Sequence, residues 1–267
     1  MTTVDEFGAG FTNNFQVKGF WQSNVSLRGP DSSLWYWGIA DPMNYAGGAT
    51  ITAPIKLVMP AGKKFIKVET GSVPNLSTSY ILALASDGTV WKYSRGNVNP
   101  VQITIAGESI IDIARFGNDS QIFLTGSYRL YAAGYQSTYV GASSNTNTFT
   151  DVTTKWTSAG MVFPIKELVG NWNTLHIIDA NDNMFGSGSN VQGEVGTGIE
   201  YSPYRLAGPQ VGVFGYGFQN GLLVTPPTQI QGKFKNLNTS TTITFYLFVQ
   251  DLGNNWYSWG RNKAFCL

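Results

Sequence analysis

The segment NMFGSGSNVQGEVGTG (183–198) is rich in glycine, with Gly186, Gly188, Gly193, Gly196 and Gly198. Such a segment either cradles a phosphate or supplies tight turns. It follows a strand-like stretch but precedes no helical pattern, so no helix N-terminus is predicted that could receive a phosphate. The sequence therefore favours a turn between structural units over a nucleotide site.

The strand that precedes this turn is one of several similar segments. Short aromatic strands that lead into glycine recur as LWYWG (34–38), VWKYSRG (90–96), LYAAG (130–134), MFGSG (184–188) and WYSWG (256–260). Their spacing matches a unit of four short strands and their turns. Before the second, fourth and fifth of these lies an apolar strand with a polar hairpin: YILALASDGTVW (80–91), TLHIIDANDNMF (174–185) and YLFVQDLGNNWY (246–257).

Two further strands complete the predicted unit. An alternating strand, apolar at its first and fourth positions, occurs as FIKV (65–68), IIDI (110–113), IKEL (165–168) and FKNL (234–237). Before three of the units a proline opens another strand, at 54–64, 100–109 and 227–233, where the missing N–H of proline is tolerated. Repeated four-stranded antiparallel sheets predict an all-β fold, a β-propeller whose blades pack face to face.

The best copy of the unit, GNWNTLHIIDANDNMFGSGSNVQGEVGTG (170–198), resembles the RCC1-like (regulator of chromosome condensation) repeat. The positions that carry the resemblance are His176, Phe185, Gly188, Asn190, Gly193, Gly196 and Gly198. The resemblance covers most of the chain in about five divergent copies. It implies one propeller domain over 1–267, with blades at about 1–50, 51–98, 99–145, 146–200 and 201–267 and an insertion at 199–226.

The number of copies does not determine how the propeller ring is closed. RCC1-like propellers usually have seven blades, and five copies fall short of that. Three arrangements are therefore compatible with the sequence: a five-bladed ring closed by the N-terminal segment, a part of a longer chain, or a ring closed by a partner. Self-assembly through open sheet edges follows from the last two, because unpaired edges pair readily.

Composition restricts the function more than it identifies it. The chain has 17 basic and 16 acidic residues, so it lacks the basic surplus of a nucleic-acid binder. Its charged fraction of 12% is low, and a surface of Asn, Ser and Thr favours an extracellular or particle-associated protein, although no signal peptide or membrane span is visible. The single cysteine, Cys266, excludes a disulfide framework and a cysteine-based zinc site.

Catalytic and cofactor-binding material is scarce. His176 is the only histidine and lies in an apolar strand, where a buried structural role is favoured over a catalytic one. Asp179, Asn181 and Asn183 mimic the start of a calcium loop, but Met184 replaces the required glycine, so a hairpin turn is the better interpretation. We therefore predict no catalytic residue, no metal and no cofactor.

Aromatic residues in predicted loops are the remaining candidates for contact with a partner: Tyr45, Tyr135, Tyr139, Trp156, Trp172, Tyr201, Tyr204, Tyr216 and Phe218. Aromatic rings beside Asn and Gln suit both sugar faces and protein hot spots. The sequence thus predicts a non-enzymatic binding or assembly module, of the surface, adhesin or virion type, that recognises a glycan or a protein. A polysaccharide-cleaving propeller enzyme is the alternative, and a nucleotide-exchange scaffold is less favoured because its interfaces call for more charge.

Overall fold

The computed structural model describes residues 16–20, 23–27, 32–38, 43, 49–71, 79–117, 119–171, 174–190, 194–196, 223–238 and 246–260. Side chains are described for most of these residues. The chain divides into two compact units, Met1–Ile113 and Ala114–Leu267, with the division inside one strand. The prediction of a single domain over 1–267 stays a prediction. No helix in the described ranges is long and apolar enough to cross a membrane.

The described strands form five sheets in which consecutive strands are neighbours and the paired strands run antiparallel. Sheet 1 contains β1 (Gln16–Phe20), β2 (Ser23–Leu27), β3 (Leu34–Gly38) and β4 (Ile51–Lys56). Sheet 2 contains β5 (Phe65–Gly71), β6 (Tyr80–Ala85), β7 (Val90–Ser94) and β8 (Asn97–Ile103). Sheet 3 contains β9 (Ile110–Phe116), β10 (Ser120–Thr125), β11 (Leu130–Gly134) and β12 (Thr146–Asp151).

The remaining sheets lie in the second unit. Sheet 4 contains β13 (Glu167–Gly170), β14 (Thr174–Ile178), β15 (Met184–Ser189) and β16 (Leu223–Ile230). Sheet 5 contains β17 (Phe234–Asn238), β18 (Tyr246–Asp251) and β19 (Trp256–Gly260). A 3₁₀ helix at Ser137–Val140 and the short helix α1 (Thr153–Thr157) flank β12. The predicted aromatic and apolar strands are confirmed, and the four-stranded antiparallel sheets have the composition of propeller blades.

The sheets pack through apolar faces within each unit. One core joins sheets 1 and 2 around Tyr36, Phe65 and Tyr93. A second core joins sheets 3 and 4, and a third joins sheets 4 and 5. All five residues of β14 are buried, because both faces of sheet 4 are covered by neighbouring sheets. This arrangement explains why the apolar strands read as continuous runs instead of alternating ones.

The proline strands belong to different sheets from those that the sequence predicts. The strand with Pro54 pairs with β3 of the preceding sheet, where Tyr36 pairs with Ile55. The predicted blade boundaries at 51, 99, 146 and 201 fall one strand early, because β4, β8, β12 and β16 are the last strands of their sheets. The first strand of a unit is the alternating strand.

The prolines also lie inside their strands and not at the start. Between Ile55 and Ile51 the register with β3 shifts by two residues, so that Ile51 pairs with Gly38. Pro54 lies in this bulge, and the same shift surrounds Pro100 in β8 and Pro227 in β16. A bulge on an outer strand leaves a residue outside the ladder, so the missing N–H of proline costs nothing there.

Candidate functional site

The candidate site is the loop that follows β11, which we call the Tyr135 loop and define as residues 135–145. Tyr135 is the most exposed large apolar or aromatic side chain in the described ranges, at 70%. Thr138 lies on the 3₁₀ helix of the loop, and its backbone N–H and hydroxyl both donate to Asn145 Oδ1, at 3.2 and 2.8 Å. The loop therefore presents an aromatic ring, a hydroxyl and an amide in one short segment.

The backbone of the loop is held in place from beneath. The N–H of Gln136 donates to Ser120 Oγ at 2.7 Å, and the Ser187 hydroxyl donates to the carbonyl of Tyr139 at 2.5 Å. The hydroxyl of Ser137 donates to the carbonyl of Ser144 at 3.0 Å, which closes the loop on itself. A loop ordered in this way loses little conformational freedom when a partner binds.

Gly134 and Gly141 bracket the turn at the points where a side chain has no room. Gly134 has φ +115°, and a Cβ there would lie 2.0 Å from the carbonyl oxygen of Asp119. Gly141 has φ +104° and ends the 3₁₀ helix, with Lys155 packed against it. Gly134 therefore ends β11 and Gly141 ends the 3₁₀ helix, before the chain returns to the sheet at Thr146.

The structure places Trp156 differently from the sequence prediction. Trp156 was expected in a loop, but it lies on α1 and is completely buried. Its indole Nε1–H donates to the carbonyl of Val140 at 3.1 Å, so the ring supports the Tyr135 loop from inside. The expectation of an accessible ring is therefore wrong. The helix is only five residues long, so it leaves no helical periodicity in the sequence from which the burial could have been predicted.

The other sequence candidates have mixed outcomes. Tyr139 lies in the Tyr135 loop, half-buried against the core of sheets 3 and 4. The candidates that lie outside the described residues are Tyr45, Trp172, Tyr201, Tyr204, Tyr216 and Phe218. Most of the predicted insertion at 199–226 lies outside them too, although β16 begins at Leu223. The binding roles of all these residues remain predictions.

The glycine-rich stretch is part of the interior where the structure describes it. Asn190, Glu194 and Val195 are buried, and the N–H of Val195 donates to Asn190 Oδ1 at 3.0 Å. The His176 Nε2–H donates to the carbonyl of Val195 at 3.2 Å, which fixes the tautomer of the ring. A buried carboxylate and a closed backbone make this segment a structural turn and a poor cradle for a phosphate.

His176 has the environment of a structural residue. Burial lowers the pKa of the imidazole to about 4, while the hydrogen bond to Val195 opposes this shift. The ring is therefore neutral at pH 7, and it is completely shielded from solvent. A general base must reach its substrate, and this side chain does not reach the surface.

The calcium-like segment forms a hairpin held by one carboxylate. Asp179 Oδ1 accepts the backbone N–H groups of Asn181 and Asn183 at 2.8 and 2.9 Å. Asp179 Oδ2 accepts the N–H of Val162 at 3.2 Å. Both oxygens are thus engaged by donors, as the hairpin interpretation requires. In the described ranges no three His, Cys, Asp or Glu side chains gather as metal ligands.

One depression combines the residue types that a polysaccharide-cleaving enzyme uses. Its lining includes Lys233, Asp251 and Tyr257, around a space of about 260 Å³. The hydrogen bonds from Asn255 lower the pKa of Asp251, and the hydrogen bond to Asp251 raises the pKa of Tyr257. A general acid needs a raised carboxyl pKa and a tyrosine base needs a lowered one. The shifts therefore run in the opposite direction from the one that this chemistry needs.

Comparison with solved structures agrees with the arrangement of the sheets. The chain matches yeast RCC1 (Prp20) bound to Kap60, with a TM-score of 0.63 and 15% identity over 92% of this chain and 55% of Prp20. It matches Prp20p from Saccharomyces cerevisiae, described with its binding to Gsp1p and histones, with a TM-score of 0.62 and 15% identity over 92% of this chain and 57% of that protein. The fold is a divergent RCC1-like β-propeller fold.

Human WBSCR16 is a third neighbour of this RCC1-like chain, with a TM-score of 0.64 and 14% identity over 92% of this chain and 61% of that protein. The chain thus spans between 55% and 61% of the length of these three structures. No protein-family model and no curated protein sequence matches it. At this identity the likeness carries the RCC1-like fold and not the activity.

Proposed function

We propose that this protein is a non-enzymatic binding module that contacts a protein partner through the Tyr135 loop. The observation that carries the proposal is a tyrosine exposed by 70% on a loop whose backbone is held by the buried hydrogen bonds of Ser120 and Trp156. Exposed aromatic rings on ordered segments are frequent hot spots in protein interfaces. The yeast neighbour Prp20, whose structures concern Kap60, Gsp1p and histones, offers a precedent for protein binding on this fold.

A glycan is the second candidate partner, because the loop that carries Tyr135 also carries polar side chains. Thr138 and Asn145 are hydrogen-bonded to each other, and Asn145 is exposed. A sugar stacks on an aromatic face and bonds to neighbouring amides and hydroxyls. A surface or particle location, as the low charge predicts, is compatible with either partner.

The proposal is tested by comparing Tyr135→Ala with Val101→Ala. Val101 is a surface control with 63% exposure on β8. Affinity capture from the source cells and a glycan array are run with the wild type and both variants. We expect Tyr135→Ala to weaken the main interaction at least about tenfold without lowering the thermal midpoint, as for a hot-spot residue. Equal binding by the three proteins would show that the Tyr135 loop does not contact the partner.

A further inference from the structure

Three junctions between consecutive sheets, 1–2, 3–4 and 4–5, are built from the same strand positions. The first residue of the third strand of the earlier sheet lies in the shared core: Leu34, Leu130 and Met184. The second residue of the third strand of the later sheet is aromatic and packs on the same core: Trp91, Phe185 and Tyr257. Neighbouring residues of a strand point to opposite faces. Each sheet therefore has a backward face for the sheet before it and a forward face for the sheet after it.

Sheet 5 is the last of the described sheets, and its forward face exposes two large rings. Trp256 is 56% exposed and Phe248 is 38% exposed. The residues at the same two positions of sheets 3 and 4 have no exposed surface: Leu130, Ile122, Met184 and His176. Asn236 and Gln250 pair with each other, and Gln250 pairs with Trp256, so both amides lie on this face too. We call Asn236, Phe248, Gln250 and Trp256 the forward face of sheet 5.

The polar groups of the forward face are already paired, so they can be buried against protein. Asn236 Nδ2 donates to Gln250 Oε1 at 2.6 Å, and Gln250 Nε2 donates to the carbonyl of Asn254 at 3.2 Å. Burial of a polar group costs little when its hydrogen bonds are kept. The four residues of the face carry no charge, so the face suits an aromatic or apolar partner better than a charged one.

Sheet 1 is the first of the described sheets, and it carries the matching aromatic position on its backward face. Leu34 and Tyr36 lie in the core shared with sheet 2, so Trp35 between them points to the opposite face. Its indole Nε1–H donates to Ser33 Oγ at 2.7 Å, and the ring is half-buried. Lys56 pairs with Trp35, and its ammonium lies 5.9 Å from the centroid of the ring. We call Trp35 and Lys56 the backward face of sheet 1.

The repeat indicates which partner fits the forward face of sheet 5. At the three junctions, the side chains that cover such a face belong to the backward face of another sheet of the same kind. The chain spans between 55% and 61% of the length of its three structural neighbours, so their chains are longer than one copy of this one. A second copy supplies further sheets, and sheet 1 is the one that has no described sheet before it.

We propose that the forward face of sheet 5 binds the backward face of sheet 1 in a second copy of this chain. The contact joins two different faces, so each copy can bind one neighbour through sheet 5 and another through sheet 1. Such a contact builds a ring of copies where the rotation closes and a linear array where it does not. The proposal does not involve the Tyr135 loop, so the two proposals can fail separately.

Sedimentation velocity over a range of protein concentrations tests the proposal with two face variants, Trp256→Glu and Trp35→Glu. Val101→Glu is the control, because Val101 is 63% exposed on β8, outside both faces. We expect the wild type and the control to associate as the concentration rises. Each face variant should need at least about a tenfold higher concentration to associate, as for a large aromatic residue at the centre of an interface. Thermal midpoints, measured at a dilution at which the wild type is monomeric, should be equal for Trp256→Glu and the wild type.

A mixture of the two face variants distinguishes this contact from other modes of association. Trp256→Glu keeps an intact sheet 1, and Trp35→Glu keeps an intact sheet 5. The equimolar mixture should therefore form dimers and nothing larger at concentrations at which each variant alone is monomeric. Two sheet 5 faces that bound each other would instead leave Trp35→Glu able to associate by itself.

Photo-crosslinking gives a second measurement that does not depend on the folding of Trp35→Glu. A photoreactive phenylalanine analogue replaces the exposed Trp256 in isotopically labelled protein, which is mixed with unlabelled wild type. We expect crosslinked peptides that join labelled position 256 to unlabelled β3 or β4. A wild type that stays monomeric, association retained by either face variant, or crosslinks confined to one copy or to another part of the second copy would overturn the proposal.

Discussion

The buried side chain of His176 contributes to the stability of the second unit. The imidazole donates to the backbone of the glycine-rich segment and is enclosed by sheet 4 and that segment. It is the only histidine, so its titration can be followed without interference from another histidine. Its structural role was predicted from the apolar strand around it, whereas its hydrogen-bond partner, 19 residues away, was not.

The lowered pKa of His176 predicts an acid-dependent loss of stability. The unfolded chain takes up a proton near the ordinary pKa of 6.5, but the folded protein does so only near 4. The contribution of the neutral imidazole to the free energy of unfolding is therefore fully present above about pH 6.5, and it is lost as the pH drops from there to about 4. The loss is on the order of 3 kcal/mol relative to His176→Gln, which does not titrate.

Denaturant unfolding of both proteins at several pH values measures this difference. His176→Gln is the control, because the wild type and the variant contain the same carboxyl groups. The acid titration of those groups therefore affects both proteins equally. An NMR titration of the single imidazole gives the folded pKa directly. Parallel pH profiles for the two proteins, or an imidazole pKa near 6.5, would contradict the burial of this ring.

At the scale of elements, the glycines that end the aromatic strands are explained by the outer-strand bulges. Gly38, Gly134 and Gly188 have positive φ and pair at the place where the register shifts by two residues. At Gly134 the close neighbour is the backbone of Asp119 and Ser120, which leaves no room for a Cβ. In sheets 1, 3 and 4 the glycine of the aromatic–glycine pattern therefore marks the bulge, whereas in sheet 2 Ser94 occupies that position.

Gly134 and Gly160 have similar φ angles but different surroundings. Alanine substitutions at the two positions therefore separate the cost of backbone strain from the cost of a steric clash. Gly134 has φ +115° and a Cβ there would clash with Asp119 and Ser120, whereas Gly160 has φ +100° and open space around it. We expect Gly160→Ala to cost about 1–2 kcal/mol through strain alone and Gly134→Ala to cost about 3–5 kcal/mol. Urea unfolding measures both, and equal losses would argue against the close approach of the loop at Gly134.

The aromatic and apolar strands were predictable because each leaves a local pattern, and the structure confirms them. The grouping of strands into sheets was not predictable from the sequence. Proline is tolerated both at the start of a strand and in a bulge, and Pro54 lies in a bulge. The sequence predicted that Tyr135 and Tyr139 lie in a loop, and the structure places both between β11 and β12; their binding role stays a prediction. The support of this loop by Trp156 was missed, because a five-residue helix is too short to dominate the local sequence pattern.

At the scale of the molecule, the repeat places residues at equivalent positions with different surroundings. Leu130, Met184 and Trp256 each begin the third strand of their sheet, opposite Leu124, Ile178 and Gln250. Leu130 and Met184 are completely buried against the next sheet, while Trp256 is 56% exposed. Phe248 on the same face of sheet 5 is 38% exposed. Gln250 occupies the position that Leu124 and Ile178 occupy in sheets 3 and 4, and a polar side chain there suits an exposed face.

Because Met184 is buried and Trp256 is exposed, replacement by alanine should lower the free energy of unfolding by different amounts at the two positions. Met184→Ala removes buried apolar atoms between sheets 4 and 5 and should cost about 2–5 kcal/mol of unfolding free energy. Trp256→Ala removes an exposed ring and should change the stability by about 0.5 kcal/mol or less. Guanidinium unfolding of the two variants measures the contrast. A large loss for Trp256→Ala would mean that the outer face of sheet 5 is packed in solution.

We have proposed that the Tyr135 loop binds the protein partner of this RCC1-like chain. Site-specific photo-crosslinking tests it most directly, with a photoreactive phenylalanine analogue placed at position 135 or, as a control, at the exposed position 101. We expect position 135 to crosslink to the partner captured by the wild type, and position 101 to give no crosslink. Unlabelled wild-type protein should suppress the crosslink from position 135. A captured partner that crosslinks equally from both positions, or from neither, would contradict it.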